Sequence, residues 1–343
     1  MGWSRMDDRG SRMENYDHGV MSIRRRTMRR CGLVFLIALL SIAALHDDAL
    51  TQVQKVRISI SSRSNTSVPY YVAASKGFFR EEGMDVEIIQ ANPRLGVMAL
   101  INGDVSFTGT FVSTVRGILS GFSMKIILVS VKRGVYYLIV HPSVKDIHDL
   151  KGKKLGVSSI RGSDHLVAEE LFRSKGFNPA QLQPVALGDT SVRLQSVITG
   201  AVEVTALSPP HDLMAQNAGM KALAGPPEIG MPASGMITSD RLIKENPQFV
   251  RRGVRAIQKA NRFIGENRQE TIKVLMQWVK QTPEIAARSY DVEIKAIQRD
   301  GTMSDADMQS FIDRLGNEKK RTLDDVRDFS FARQVWKELE SGK

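Results

Sequence analysis

The sequence predicts an α/β protein of two lobes, each a mostly parallel sheet flanked by helices, with two crossover strands joining the lobes. Three observations carry this reading. The tetrapeptide SKGF occurs at 75–78 and again at 174–177, and its surroundings repeat with it at offsets of 97–99 residues. Each copy alternates strand-like and helix-like segments in the order βαβαβ, the pattern of a parallel sheet covered by helices. Each copy also ends in a short strand-like segment followed by a turn and a proline, at 133–145 and 233–247, placed to carry the chain between lobes.

The elements follow in order. VRISISSRSNTS (56–67) and KLGVSSIRGSD (154–164) both read as a strand leaving into a polar turn, with Ser61 aligned to Ser159 and Arg63 to Arg161. A helix comes next in each copy, at 67–77 and 164–176. Gly77 and Gly176 stand where a helix end needs a left-handed residue, and Phe78 and Phe177 are placed to fold back on the last turn. SKGF is therefore a helix stop. Second strands lie at 84–91 and 182–187, and second helices at 94–103 and 191–200, closed by Gly103 and Gly200. Third strands lie at 104–109 and 201–207. Beyond residue 230 the pattern turns helical. Asn246 is an N-cap with Pro247 behind it, and Phe249, Val250, Val254, Ile257 and Ile264 recur near helical spacing. Further helices run through 269–280 and follow Ser304 and Asp324, with Trp278 and Trp336 as core anchors. The implied organisation is a leader over 1–50 with a signal peptide at 21–50, lobe one from 55–140 plus 230–343, and lobe two from 141–229.

Composition narrows the function. The 343 residues are 42% hydrophobic and 25% charged with a net charge of +11, an ordinary globular composition on a basic chain. The basic residues are scattered among acids without an aromatic-basic motif, so a nucleic-acid module is not indicated. RRRTMRR (24–30) precedes the apolar run CGLVFLIALLSIAAL (31–45), the cationic-then-apolar order of a secretory signal. The run is short of the roughly twenty residues of a membrane-spanning helix, although an uncleaved anchor is the alternative reading. The polar segment 1–20 fits poorly in front of a signal, and Met21 is an alternative start. Cys31 is the one cysteine, and it lies before the apolar run, so a mature chain starting near residue 50 holds no thiol for a disulfide, a nucleophile or a metal. The six histidines form no H-x-H or H-E-x-x-H pattern, which argues against zinc. No G-x-S-x-G elbow or phosphate-binding P-loop appears either. The acidic stretch DGTMSDAD (300–307) lacks the spacing of a calcium loop, and Ser304 with Asp307 reads as a helix start.

YYVAASKGFFREEGMDVEII, INGDVSFTG, DLKGKKLGVSSIRGS and TSDRLIKENPQFVRRGVRAIQKA, in that order and spacing, resemble the nitrate/sulfonate/taurine-type substrate-binding proteins of ABC transporters, over roughly residues 55–340. The wider group includes proteins like thiamine-pyrimidine synthase. The resemblance implies the type II periplasmic-binding-protein fold and a periplasmic, monomeric protein. Such a protein closes on a small ligand and hands it to a membrane permease, with no cofactor, metal or nucleic acid. That synthase branch is expected to rely on a cysteine-rich motif, which this chain lacks beyond Cys31.

The site expectation also follows from the repeat itself. Ligands of open α/β sheets bind beyond the carboxyl ends of the strands, where helix N-termini offer unpaired N–H groups and a positive dipole end. In lobe one those positions are Ser62, Arg63, Ser64, Asn65, Thr66, Asn92, Thr108, Gly109 and Thr110. In lobe two they are Ser159, Arg161, Gly162, Ser163, Asp164, Thr190 and Ser208. Each hydroxyl could equally serve as a plain helix cap, each arginine as a solvated loop residue, and Asp164 reads as a cap rather than an amine ligand. The basic balance and the helix N-termini point to an anion or a carboxylated organic ligand, and the resemblance implies that sulfonates, taurine, nitrate, pyrimidines or aromatic acids also fall within range; the ligand would be trapped by hinge closure about 135–142 and 230–238. The alternatives are an enzyme on the same two-lobed fold, acting on a small organic acid or a pyrimidine precursor, and a sensory binding protein without a transporter.

Overall fold

The computed structural model of the chain describes residues 53–225 and 231–342; the leader and its signal lie outside them. Two five-stranded sheets form the frames of the lobes. Sheet one contains β1 (Gln54–Ile60), β2 (Met84–Gln90), β3 (Phe107–Thr108), β4 (Met124–Val131) and β10 (Ser234–Ser239), in the spatial order β2-β1-β3-β10-β4. Sheet two contains β5 (Tyr137–Val140), β6 (Lys154–Val157), β7 (Gln183–Ala186), β8 (Val204–Leu207) and β9 (Lys221–Ala224), in the order β7-β6-β8-β5-β9.

The two orders correspond place by place. β1 pairs parallel with β2 and β3, and β6 pairs parallel with β7 and β8. The fourth place in each sheet is an antiparallel strand that enters from the other half of the chain. β10 lies between β3 and β4, and β5 lies between β8 and β9. The two crossover strands are thus built into the sheets they enter. This moves the first crossing. Residues 137–140, expected at the end of lobe one, pair with lobe two, so the chain changes lobe over 132–136 and is again in sheet one at Ser234.

Helices cover both faces. In lobe one, α1 (Val68–Ser75), α2 (Phe78–Glu81), α3 (Pro93–Asn102) and α4 (Phe111–Leu119) follow the strands; in lobe two, α5 (Ser163–Ser174), α6 (Thr190–Ile198) and α7 (His211–Asn217) do. Gly77 and Gly176 take φ of 80° and 75°, the left-handed region in which a side chain is disfavoured. Phe177 folds back as expected: its N–H donates to the Phe172 carbonyl at 2.9 Å and the two rings pack at 5.4 Å. Phe78 does not, because it opens α2 and meets Phe263 at 5.9 Å.

The C-terminal helices belong to lobe one. After α8 (Asp240–Glu245), Asn246 caps α9 (Pro247–Glu266), its Oδ1 accepting from the Phe249 N–H at 3.1 Å. α9 buries Phe249, Val250, Val254, Ile257, Ala260 and Ile264 against α1 and the sheet. Gly253 lies on that face because a Cβ there would come 2.9 Å from the Phe107 ring. α10 (Arg268–Val279), α11 (Pro283–Glu293), α12 (Asp305–Leu315), α13 (Leu323–Val326) and α14 (Ser330–Glu340) complete the lobe. Ser304 caps α12 by accepting from the Asp307 N–H at 3.1 Å. Among the described residues no helix is long and apolar enough to cross a membrane.

Candidate functional site

The carboxyl ends of β1 and β6 face each other across the lobes, and the turns that follow them line one small enclosed chamber of about 30 Å³. Lobe one contributes Ser61, Ser62, Thr66, Ser67, Gly109, Thr110 and Ser113; lobe two contributes Ser158, Ser159, Gly162, Ser163, Asp164, Thr190, Arg193 and Ser208. Tyr136, on the first crossing, also lines it. The N-termini of α3, α4, α5 and α6 all open at this chamber, so positive dipole ends converge on it from both lobes.

The lobes touch around it. The Asn65 N–H donates to the Pro209 carbonyl at 3.2 Å, the Gln90 amide meets the Asp189 carboxylate, and Arg116 Nε donates to the Arg161 carbonyl at 3.1 Å. The lobes therefore stand closed on one another.

Ten of the sixteen residues expected at the strand ends line the chamber: Ser62, Thr66, Gly109, Thr110, Ser159, Gly162, Ser163, Asp164, Thr190 and Ser208. The other six stand elsewhere. Arg63 does not face the chamber, because its guanidinium lies over the Trp278 ring at 4.8 Å, a cation–π contact that holds it on the outer helices. Ser64 is consumed by its own loop, with its hydroxyl 2.8 Å from that of Thr66. Asn65 is buried beside Pro209. Thr108 is tied into the sheet, accepting from Ser59 Oγ at 2.8 Å and from the Thr110 N–H at 3.1 Å. Asn92 caps α3 and, with Arg161, borders an outer groove.

The residue that sequence reasoning missed is Arg193. It is 3% exposed and reaches back from α6 to the 2% exposed Asp164 of α5, Nη1 to Oδ2 at 3.0 Å. Nη2 donates to Thr190 Oγ1 at 2.9 Å, and Nη1 also donates to the Ala206 carbonyl. Asp164 accepts from the Ser158 N–H at 2.6 Å, so it holds the strand-end turn as well as the arginine. A signal was available: Thr190, Arg193, Leu194 and Val197 are the buried face of α6, and a charge inside an apolar stripe demands a partner.

Three residues that line the chamber each carry a buried polar atom without a hydrogen-bond partner: Thr110 Oγ1 from lobe one, and Ser159 Oγ and Arg193 Nε from lobe two. Unpaired buried donors are costly, and here they come from both lobes to one place. His211, at the start of α7, is pushed down to about 4 by burial and then by the Arg193 charge, so it is neutral near pH 7 and adds no cation. Near Tyr137, Asp212 is pushed up to about 6 and Glu293 to about 8, in both cases chiefly by burial.

A sequence signature described as NMT1/THI5 like matches residues 64–271. The riboflavin-binding protein RibY of Chloroflexus aurantiacus is 22% identical over 250 residues, covering 69% of this chain and 70% of that protein. The 4-amino-5-hydroxymethyl-2-methylpyrimidine phosphate synthase THI13 of Saccharomyces cerevisiae is 24% identical over 258 residues, covering 68% and 71%. Among solved structures, the periplasmic nitrate-binding protein NrtA from Synechocystis PCC 6803 superposes with a TM-score of 0.72 at 16% identity, over 84% of this chain and 90% of that one. The alkanesulfonate-binding protein SsuA from Xanthomonas axonopodis pv. citri does so with a TM-score of 0.64 at 17% identity, over 75% and 89%. The architecture is thus that of the two-lobed periplasmic binding proteins, and on its sequence the chain belongs to the NMT1/THI5 like family.

Proposed function

We propose that the protein captures a small organic anion in the interlobe chamber and delivers it to the permease of an ABC importer, as an exported, monomeric solute-binding protein. The observation that carries this reading is that one chamber is lined from two lobes by Thr110, Ser159 and Arg193, each with a buried polar atom left unpaired. All three can donate to an oxyanion, and the helix N-termini around them favour negative charge. Asp164 neutralises Arg193 within the pair, so the dipole ends, not a free guanidinium, supply most of the attraction. The fold resemblance to nitrate- and sulfonate-binding proteins supports a carboxylate, sulfonate or similar oxyanion, and the cationic-then-apolar leader supports export.

The second reading, an enzyme acting on a pyrimidine precursor, is favoured by the synthase relatives. Against it stands the cysteine-rich motif expected of that branch, because the sequence from residue 53 onward contains no cysteine.

A thermal-shift screen of carboxylates, sulfonates, nitrate and pyrimidines tests the reading, because a ligand that binds only the folded state raises its melting temperature. The expected result is a hit among the oxyanions whose affinity falls about tenfold or more in Ser159→Ala and Thr110→Ala. Oxyanion hits that bind both variants like wild type would remove the chamber as the site.

A further inference from the structure

Three of the large apolar side chains left exposed among the described residues, Met98, Phe122 and Ile160, line one groove of about 640 Å³. Clustering of this kind, unlike scattered exposed apolar residues, marks a binding surface. The groove adjoins the polar chamber: Ser113 and Ser159 border both. Its walls come from both lobes, with Val97, Met98 and Phe122 on one side and Ile160 and Ala186 on the other, while Arg94, Arg116 and Arg161 supply polar edges.

Size links the two spaces. A chamber of about 30 Å³ holds a head of only a few atoms. The part of a larger organic ligand that the chamber does not hold has the groove as its neighbouring space, on the side bordered by Ser113 and Ser159. We propose that this groove is a second subsite that takes the apolar arm of the ligand, and that the ligand is therefore an amphiphilic organic anion rather than a bare inorganic one. This rests on the capture of an anionic head in the chamber.

The turn that presents Ile160 is built for display. Arg161 holds φ of 62°, a left-handed conformation uncommon for a residue with a side chain. It is kept there by two bonds: its N–H donates to His165 Nδ1 at 2.8 Å, and its carbonyl accepts from Arg116 Nε across the lobes at 3.1 Å. Ile160, 52% exposed, is left standing over the groove. An arm lying there touches α3 and α4 of lobe one and the 159–161 turn of lobe two at once, so its burial favours the closed lobes and makes Met98, Phe122 and Ile160 specificity-determining.

The test is calorimetry of the full chain with methanesulfonate, butanesulfonate and octanesulfonate, and with acetate, butyrate and octanoate. Affinity should rise roughly fourfold per added methylene until the groove is filled. The rise should flatten in Ile160→Asn and Met98→Gln, two neutral changes at exposed positions whose melting curves report folding. A wild-type affinity independent of chain length overturns the proposal, as does a slope unchanged in both variants. If the short anions bind and Ser159→Ala weakens them while the slope is flat, only the groove proposal falls. If no member of either series binds, the groove proposal falls together with the reading it rests on. A dimer that dissociates in Ile160→Asn would assign the groove to a second copy of the chain and overturn the proposal too.

Discussion

Asp164 and Arg193 form a buried ion pair at 3.0 Å between the first turns of two neighbouring helices of lobe two. The pair joins the strand-end turn, through Ser158, to the end of β8, through the Ala206 carbonyl. It therefore sets the shape of the lobe-two half of the chamber before any ligand arrives.

Removing one member of this pair leaves the other charged and buried. Arg193→Met should cost about 3–5 kcal/mol of stability, and Asp164→Asn combined with Arg193→Met should recover part of it. Urea unfolding of the single and double variants measures both values. Additive losses would mean that the two side chains act independently.

Gly162 lies at the N-terminus of α5 with an ordinary backbone conformation, so its constraint is space. A Cβ there would fall 2.5 Å from Ser159 Oγ and 3.1 Å from the Ser159 carbonyl. Gly162→Ala should displace the Ser159 hydroxyl from the chamber and weaken ligand binding by about tenfold to a hundredfold. The melting temperature should move little. Calorimetry beside a melting curve checks the split.

Glu293 is 3% exposed, and neither of its carboxylate oxygens has a hydrogen-bond partner. Burial, then the Asp212 charge, raises it from 4.5 to about 8. The folded protein thus holds a proton there that the unfolded chain gives up, and stability falls as pH rises from 4.5 towards 8. Asp212, raised from 3.8 to about 6, acts in the same direction at lower pH. His211, lowered from 6.5 to about 4, acts oppositely over 4 to 6.5. Between pH 6.5 and 8 Glu293 is thus the one of these three still titrating, and Glu293→Gln should abolish the decline in melting temperature there. A decline that persists in the variant would place its source in another group.

Arg63 offers the converse test. With its guanidinium over Trp278, Arg63→Ala should lower stability by about 0.5–1 kcal/mol. It should leave ligand affinity and its salt dependence as in wild type. A loss of affinity that grows at low salt would return Arg63 to the site.

Local features of the sequence determined the elements that repeat. β1 and β6 are short alternating strands before polar turns, α1 and α5 stop at left-handed glycines, and α9 begins at an Asn–Pro cap, all of which depend on neighbours within a few residues. The strand-end position of Ser159, Gly162 and Thr110 followed from that order alone. Other elements were less legible. α4, β4, α7 and β9 extend each copy beyond its third strand; β4 is an unbroken apolar run whose spacing does not separate strand from helix, and α7 and β9 are too short to show a period, whereas α4 carries a helical spacing in Phe111, Val112, Val115, Ile118 and Leu119 that was available to be read. Tertiary structure alone decided which sheet β5 joins, because its four apolar-rich residues carry no local mark of their partners and only pairing with β8 and β9 places them in sheet two. The arginines were decided in the same way. Arg63 and Arg161 match in sequence, yet Trp278 draws one outward and a left-handed backbone turns the other to the groove wall. Arg193, which matches nothing, is drawn into the chamber because a buried guanidinium must find a carboxylate, and Asp164 stands one helix away.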